Sequence, residues 1–115
     1  MTMLVLMCLE RTGSEHSLSL VTDSTAANNT LGFVVQSTTS RSVSNLSLTH
    51  SLAEGSAPGV GAIGVNATLW LAQSTVTGNS VGFIANSSGV INTYGDNYFA
   101  ANGSNTGSLT PVDKQ

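Results

Sequence analysis

Four polar residues share one register of this 115-residue chain: Asp23, His50, Gln73 and Asp96, at steps of 27, 23 and 23 positions. Carboxylates and imidazole are the groups that move protons and hold cations. If each step is one layer of stacked strands, neighbouring members lie about 4.8 Å apart, and Asp23 and Asp96 about 14 Å apart. A glycosidase carboxylate pair works at about 5 to 9.5 Å, so these two aspartates do not form one. Asp23 beside His50 lacks the nucleophile and oxyanion donors of a triad. The acids Glu10, Glu15, Asp23, Glu54, Asp96 and Asp113 are scattered singly, whereas calcium takes about six to eight oxygens. No catalytic residue, metal site or cofactor is expected. The register reads as a surface polar ladder near a turn, and its functional alternative is ligand binding by Asp23, His50 and Asp96.

The other chemistry on offer is stacking. Trp70, the single tryptophan, precedes Leu71, an expected core position. Alternation then turns Trp70 outward or puts it at a corner. An indole on a polar sheet presents an apolar face with a polar edge, which suits a sugar ring. Tyr94 is its aromatic companion, and Trp70 completes the set of candidate ligand-binding residues.

A repeat must position these groups. Gln73-Ser74-Thr75-Val76-Thr77-Gly78-Asn79 followed by Val81-Gly82-Phe83 echoes Asp23-Ser24-Thr25-Ala26-Ala27-Asn28-Asn29 followed by Leu31-Gly32-Phe33. A fainter copy starts at His50 and a fading one at Asp96. A period of roughly 20 to 50 residues marks a repeat architecture. Aligned, the copies give apolar columns: Val21, Leu48, Leu71 and Tyr94; Ala26, Ala53, Val76 and Phe99; Phe33, Val60 and Phe83, ending in Thr106; and Val35, Ala62 and Ala85. Short apolar-polar alternation bounded by Asn, Gly and Ser predicts brief strands with one face buried. The expected fold is all-β, a right-handed parallel β-helix (solenoid) of about four to five rungs. Asn29, Asn79 and Asn102, with Ser56 in the faint copy, read as a corner ladder, because Asn tolerates left-handed backbone and stacks well. Gly32, Gly59 and Gly82 read as a second corner or a close approach. The faint copy, 42–66, carries four extra residues, and Pro58 with Gly55, Gly59, Gly61 and Gly64 predicts a bulged loop around 54–64. The expected division is an N-terminal strand or cap at 1–16, rungs at 17–105 and a C-terminal tail or cap at 106–115.

Composition narrows the partners. Only 8% of residues are charged and the net charge is −3, with Arg11, Arg41 and Lys114 the only strong bases. That gives no footprint for nucleic acid and no basic amphipathic stretch for a membrane surface. Cys8, the only cysteine, has no intrachain disulfide partner and reads as a small buried apolar residue. Residues 1–9 are too short an apolar run to span a bilayer, and they lack the basic segment and cleavage site of a signal peptide. Sequons at Asn28, Asn45, Asn66, Asn86 and Asn102 are what an Asn/Ser/Thr-rich chain produces by chance.

The rungs STVTGNSVGFIA and NTYGDNYFAANG resemble coils of right-handed parallel β-helix proteins of the pectin-lyase-like superfamily, including bacterial β-helix repeat and sugar-hydrolase repeat proteins. The resemblance covers about residues 17–105. It implies a short member or a C-terminal fragment, and an extracellular or cell-surface setting. The superfamily's polygalacturonase motifs, clustered aspartates with Gly-His-Gly and Arg-x-Lys, do not occur. The expected function is a non-catalytic module, structural or carbohydrate-binding, with a polysaccharide as partner. The alternatives are part of a polysaccharide lyase or glycoside hydrolase whose catalytic rungs lie elsewhere, and a module that self-associates end to end or edge to edge.

Overall fold

Every third strand of this chain lies on the same sheet. The computed structural model describes residues 6–9, 16–28, 31–36 and 43–112. Its strands come in sets of three: β1 (Leu6–Leu9), β2 (His16–Thr22) and β3 (Thr25–Ala27); β4 (Phe33–Gln36), β5 (Val43–Thr49) and β6 (Leu52–Glu54); β7 (Val60–Ile63), β8 (Ala67–Ala72) and β9 (Thr75–Thr77). Then follow β10 (Val81–Asn86), β11 (Val90–Thr93) and β12 (Tyr98–Ala100), and finally β13 (Ser104–Thr106) and β14 (Leu109–Pro111). Sheet A runs β1-β4-β7-β10-β13, sheet B β2-β5-β8-β11-β14, and sheet C β3-β6-β9-β12. All pairings are parallel. The result is a β-solenoid of about three turns, slightly fewer than the repeat predicts. From β3 to β12 the chain closes all three sheets three times, with partial turns at the ends. Among the described residues there is no helix.

The columns lie inside. Ala26, Ala53 and Val76 stack in register, as do Val21, Leu48 and Leu71. Phe33, Val60 and Phe83 form the third column, and Val35, Ala62 and Ala85 the fourth. Leu46, Leu69 and Ile91 add a fifth, each fully buried. One layer of such residues cannot exclude water from its own face, so burial depends on the layer above and below.

Two columns slip near the C-terminus. Leu71 pairs with Thr93 rather than Tyr94, and Ile84 rather than Phe83 pairs with Thr106. The first slip is reversed before β12, where Val76 again faces Phe99. The chain takes up the extra residue at Gly95, whose φ is 83°.

The four extra residues of the longer step also lie elsewhere than expected. Gln36 pairs with Ile63 and Ser44 with Ala67, so eight positions cover in the second layer what four cover in the third. The surplus falls between Gln36 and Ser44, and residues 37–42 lie outside the described part. The stretch 54–64 is not a bulged loop. Val60, Gly61 and Ala62 are buried strand residues in register with both neighbours. The Gly and Pro content there reflects tight packing rather than an insertion.

Each coil has three corners, and the two that flank sheet C follow one rule. After sheet B, the left-handed residues are Asp23 (φ 53°), His50 (φ 51°) and Gln73 (φ 49°). After sheet C they are Asn28 (φ 58°), Gly55 (φ 65°), Gly78 (φ 65°) and Ala101 (φ 58°). The next residue turns its side chain to the backbone: Ser24, Ser51 and Ser74 at one corner, Ser56, Asn79 and Asn102 at the other. In the fourth layer Asn97 does the same, two residues after the left-handed Gly95. The left-handed turn therefore sits one residue before the asparagines that the repeat marks as corner pieces. Asn29 lies outside the described residues.

These ladder side chains share a direction. Ser51 Oγ accepts from Ser24 N–H, Ser74 Oγ from Ser51 N–H, and Asn97 Oδ1 from Ser74 N–H. Asn79 Oδ1 accepts from Ser56 N–H and Asn102 Oδ1 from Asn79 N–H. The Nδ2 groups of Asn79, Asn97 and Asn102 donate to Ala53, Leu71 and Val76 carbonyls. In each of these bonds a later layer's side chain secures the backbone of the layer before it.

Candidate carbohydrate-binding face

The site is built from the outward positions of sheet B. Along β8, burial alternates strictly: Ala67, Leu69 and Leu71 are buried, while Thr68, Trp70 and Ala72 are half-buried and face out. Trp70 thus points outward because Leu69 and Leu71 occupy the core. Ser47 lies directly above it in register and Asn92 directly below. The neighbouring outward column holds Thr49 above Ala72, with Tyr94 following Thr93 in the next layer.

Large and small residues alternate across these two columns. Trp70 and Tyr94 stand on a diagonal, ring centroids 6.3 Å apart and planes inclined by 29°. Ser47, Thr49 and Ala72 are small and leave a shallow groove of about 270 Å³ beside the aromatic pair. The walls are an indole and a phenol, and the floor carries two hydroxyls and a methyl. Such a surface offers apolar ring contact together with hydrogen-bond donors and acceptors.

The slip at Gly95 matters here. Had Tyr94 continued the column of Leu71, it would point into the core. Because Thr93 takes that inner position, Tyr94 is released to the outer face beside Trp70. Thr93 inside remains satisfied, since its Oγ1 accepts from Gly95 N–H and Asn97 Nδ2.

The other candidate residues lie along the edge of this face. Asp23 and His50 are exposed, and each occupies the left-handed corner position directly after a strand of sheet B. Asp and His are among the side chains best tolerated there, which accounts for their presence without chemistry. Asp96 differs. Its Oδ1 accepts the Gln73 N–H at 3.0 Å, whereas one and two layers earlier the carbonyls of Ala72 and Thr49 receive the N–H groups of His50 and Asp23. The Asp96 carboxylate stands in for the carbonyl displaced by the extra residue. Gln73, between His50 and Asp96, separates the imidazole from that carboxylate by a layer. The structure brings Trp70 together with Tyr94 and leaves Asp23, His50 and Asp96 on the corner.

Gly32, Gly59 and Gly82 are buried and not left-handed. They mark close approach: a Cβ on Gly59 would sit 2.6 Å from Asn79 Nδ2. Among the described residues, no three His, Cys, Asp or Glu side chains gather as metal ligands do. Ser47, Thr49 and Ala72 line the groove and are candidate positions the repeat alone did not single out. Their signal is that small residues occupy outward positions next to the only Trp.

Compared with known proteins, the chain matches no family model, no curated protein and no solved structure.

Proposed function

We propose that this solenoid is a non-catalytic carbohydrate-binding module whose platform is the outer face of sheet B. The observation that carries the reading is the Trp70–Tyr94 diagonal beside the groove floored by Ser47, Thr49 and Ala72. A pyranose has an apolar C–H face and a rim of hydroxyls, and this surface offers partners for both. The resemblance of the rungs to pectin-lyase-like proteins, with the right-handed winding it implies, supports a glycan partner and belongs to the same proposal. A glycan array followed by affinity electrophoresis tests it. Trp70→Ala is expected to weaken retention at least tenfold, and unchanged retention would remove the platform. Assays for unsaturated uronates or new reducing ends are expected to show no turnover.

One observation favours a second reading, self-association. Phe99 is half-buried although its column partners Ala26, Ala53 and Val76 are at most 1% exposed. The last described layer thus presents core residues that another layer could cover. Sedimentation at increasing concentration tests this, and a clean monomer at high concentration would exclude it.

A further inference from the structure

The groove also carries information about the charge of its ligand. We infer that it takes a neutral pyranose polymer and discriminates against uronates; this rests on the glycan-binding reading above. None of Ser47, Thr49, Trp70, Ala72 and Tyr94 is an acid or a basic side chain. Among the described residues there is no lysine or arginine at all, and the carboxylates are Asp23, Glu54 and Asp96. Two of those, Asp23 and Asp96, stand on the corner that borders the outer face of sheet B.

A polyanion laid on this groove meets no lysine or arginine among the described residues, and on the bordering corner two carboxylates, Asp23 and Asp96, outnumber the single imidazole of His50. Calcium bridging, the other means of holding a uronate, needs several acidic oxygens at one point. The described acids stand apart instead, with no cluster of three metal-binding side chains. The groups that are present are hydroxyls, an indole N–H and aromatic faces. These match an uncharged sugar, whose hydroxyls both donate and accept.

Size sets the scale of recognition. A groove of about 270 Å³ falls just under the roughly 300–1,000 Å³ of sites for drug-sized ligands. It seats one or two rings of a chain rather than a long oligosaccharide. Binding to one groove is therefore weak, and a polymer with many equivalent rings is the appropriate probe.

The experiment is native affinity electrophoresis of the whole chain in gels containing a neutral polysaccharide (hydroxyethylcellulose, galactomannan or xylan) or polygalacturonate, at low and high salt. The expected result is retardation by at least one neutral polymer, changed less than twofold by salt, with none by polygalacturonate. Trp70→Ala should reduce retardation at least tenfold. Ala72→Leu, which fills the floor on an outward position, should do the same with an unchanged unfolding midpoint, so a folding defect in the first variant does not decide the matter. Salt-sensitive retardation by polygalacturonate that both variants abolish would overturn the neutral selectivity and leave glycan binding standing. No retardation by any polymer, or retardation that neither variant alters, would overturn both.

Discussion

The corner after sheet B and the corner after sheet C turn the chain in the same way but fasten it differently. Each places a left-handed residue immediately before a polar one, or two before it at Asn97, where Gly95 is the left-handed residue. Where the polar residue is serine, its Oγ donates to the carbonyl two residues back: Ser24 to Thr22, Ser51 to Thr49, Ser74 to Ala72 and Ser56 to Glu54. Where it is asparagine, Nδ2 reaches a carbonyl 26 residues back: Asn79 to Ala53, Asn97 to Leu71 and Asn102 to Val76. Ser56 stands in the mainly Asn corner and Asn97 in the mainly Ser corner, and each follows its residue type rather than its location. Both residue types accept an N–H from the previous layer, so side-chain length decides only where the donor goes: to a carbonyl of its own layer for serine, to a second bond with the previous layer for asparagine.

Substitutions at the two corners should separate these modes. The largest effect is expected for Asn79→Ala. Asn79 is 2% exposed, and its loss leaves Ser56 N–H and the Ala53 carbonyl without their bonds. At about 1–3 kcal/mol per buried unsatisfied group, urea denaturation should show a loss of about 3 kcal/mol. Gly59→Ala attacks the same corner by crowding Asn79, and overpacking of this kind should cost about 2 kcal/mol in the same assay. Ser74→Ala strands only the Ser51 N–H between layers. Its expected cost is about 1.5 kcal/mol, and a loss equal to that of Asn79→Ala would break the distinction. Ser74→Asn offers the longer side chain the Leu48 carbonyl, by analogy with Asn79 and Ala53. Its thermal midpoint should stay within the shift of about 1 kcal/mol expected for one exchanged hydrogen bond. Smallest of all is Ser44→Ala, away from both corners. Ser44 Oγ is buried without a hydrogen-bond partner, so its removal should leave stability unchanged or raise it by up to about 1 kcal/mol.

Much of the fold was legible because a solenoid writes its core as columns. Ala26, Ala53, Val76 and Phe99 could be aligned by their steps alone, and they pair in that order. The alignment failed where spacing changed without a change of pattern. Thr93 and Tyr94 are both plausible continuations of Leu71, and only hydrogen-bond register tells which one is inside. Glycine and proline around 54–64 resemble an insertion, although Gly59 there permits a close approach of the Asn79 side chain. The corner rule was hidden for a different reason. A bond such as Asn79 to Ala53 joins residues 26 apart, so no local window contains both ends. At the site, Trp70 was readable from its place beside Leu71. Its partnership with Tyr94 depended on the slip, and the corner role of Asp23 and His50 depended on backbone angles.

The one-way direction of the ladder bonds has a consequence for how the protein is made. In the corner bonds described above, the side chain always comes from the following layer, as acceptor of an N–H or donor to a carbonyl of the layer before. During synthesis, each coil stays unfastened on its growing side until the next 23 residues or so have emerged. At about 5–20 residues per second, that interval is roughly one to five seconds per coil. The molecule closes behind the ribosome like a zip, one coil late at every step.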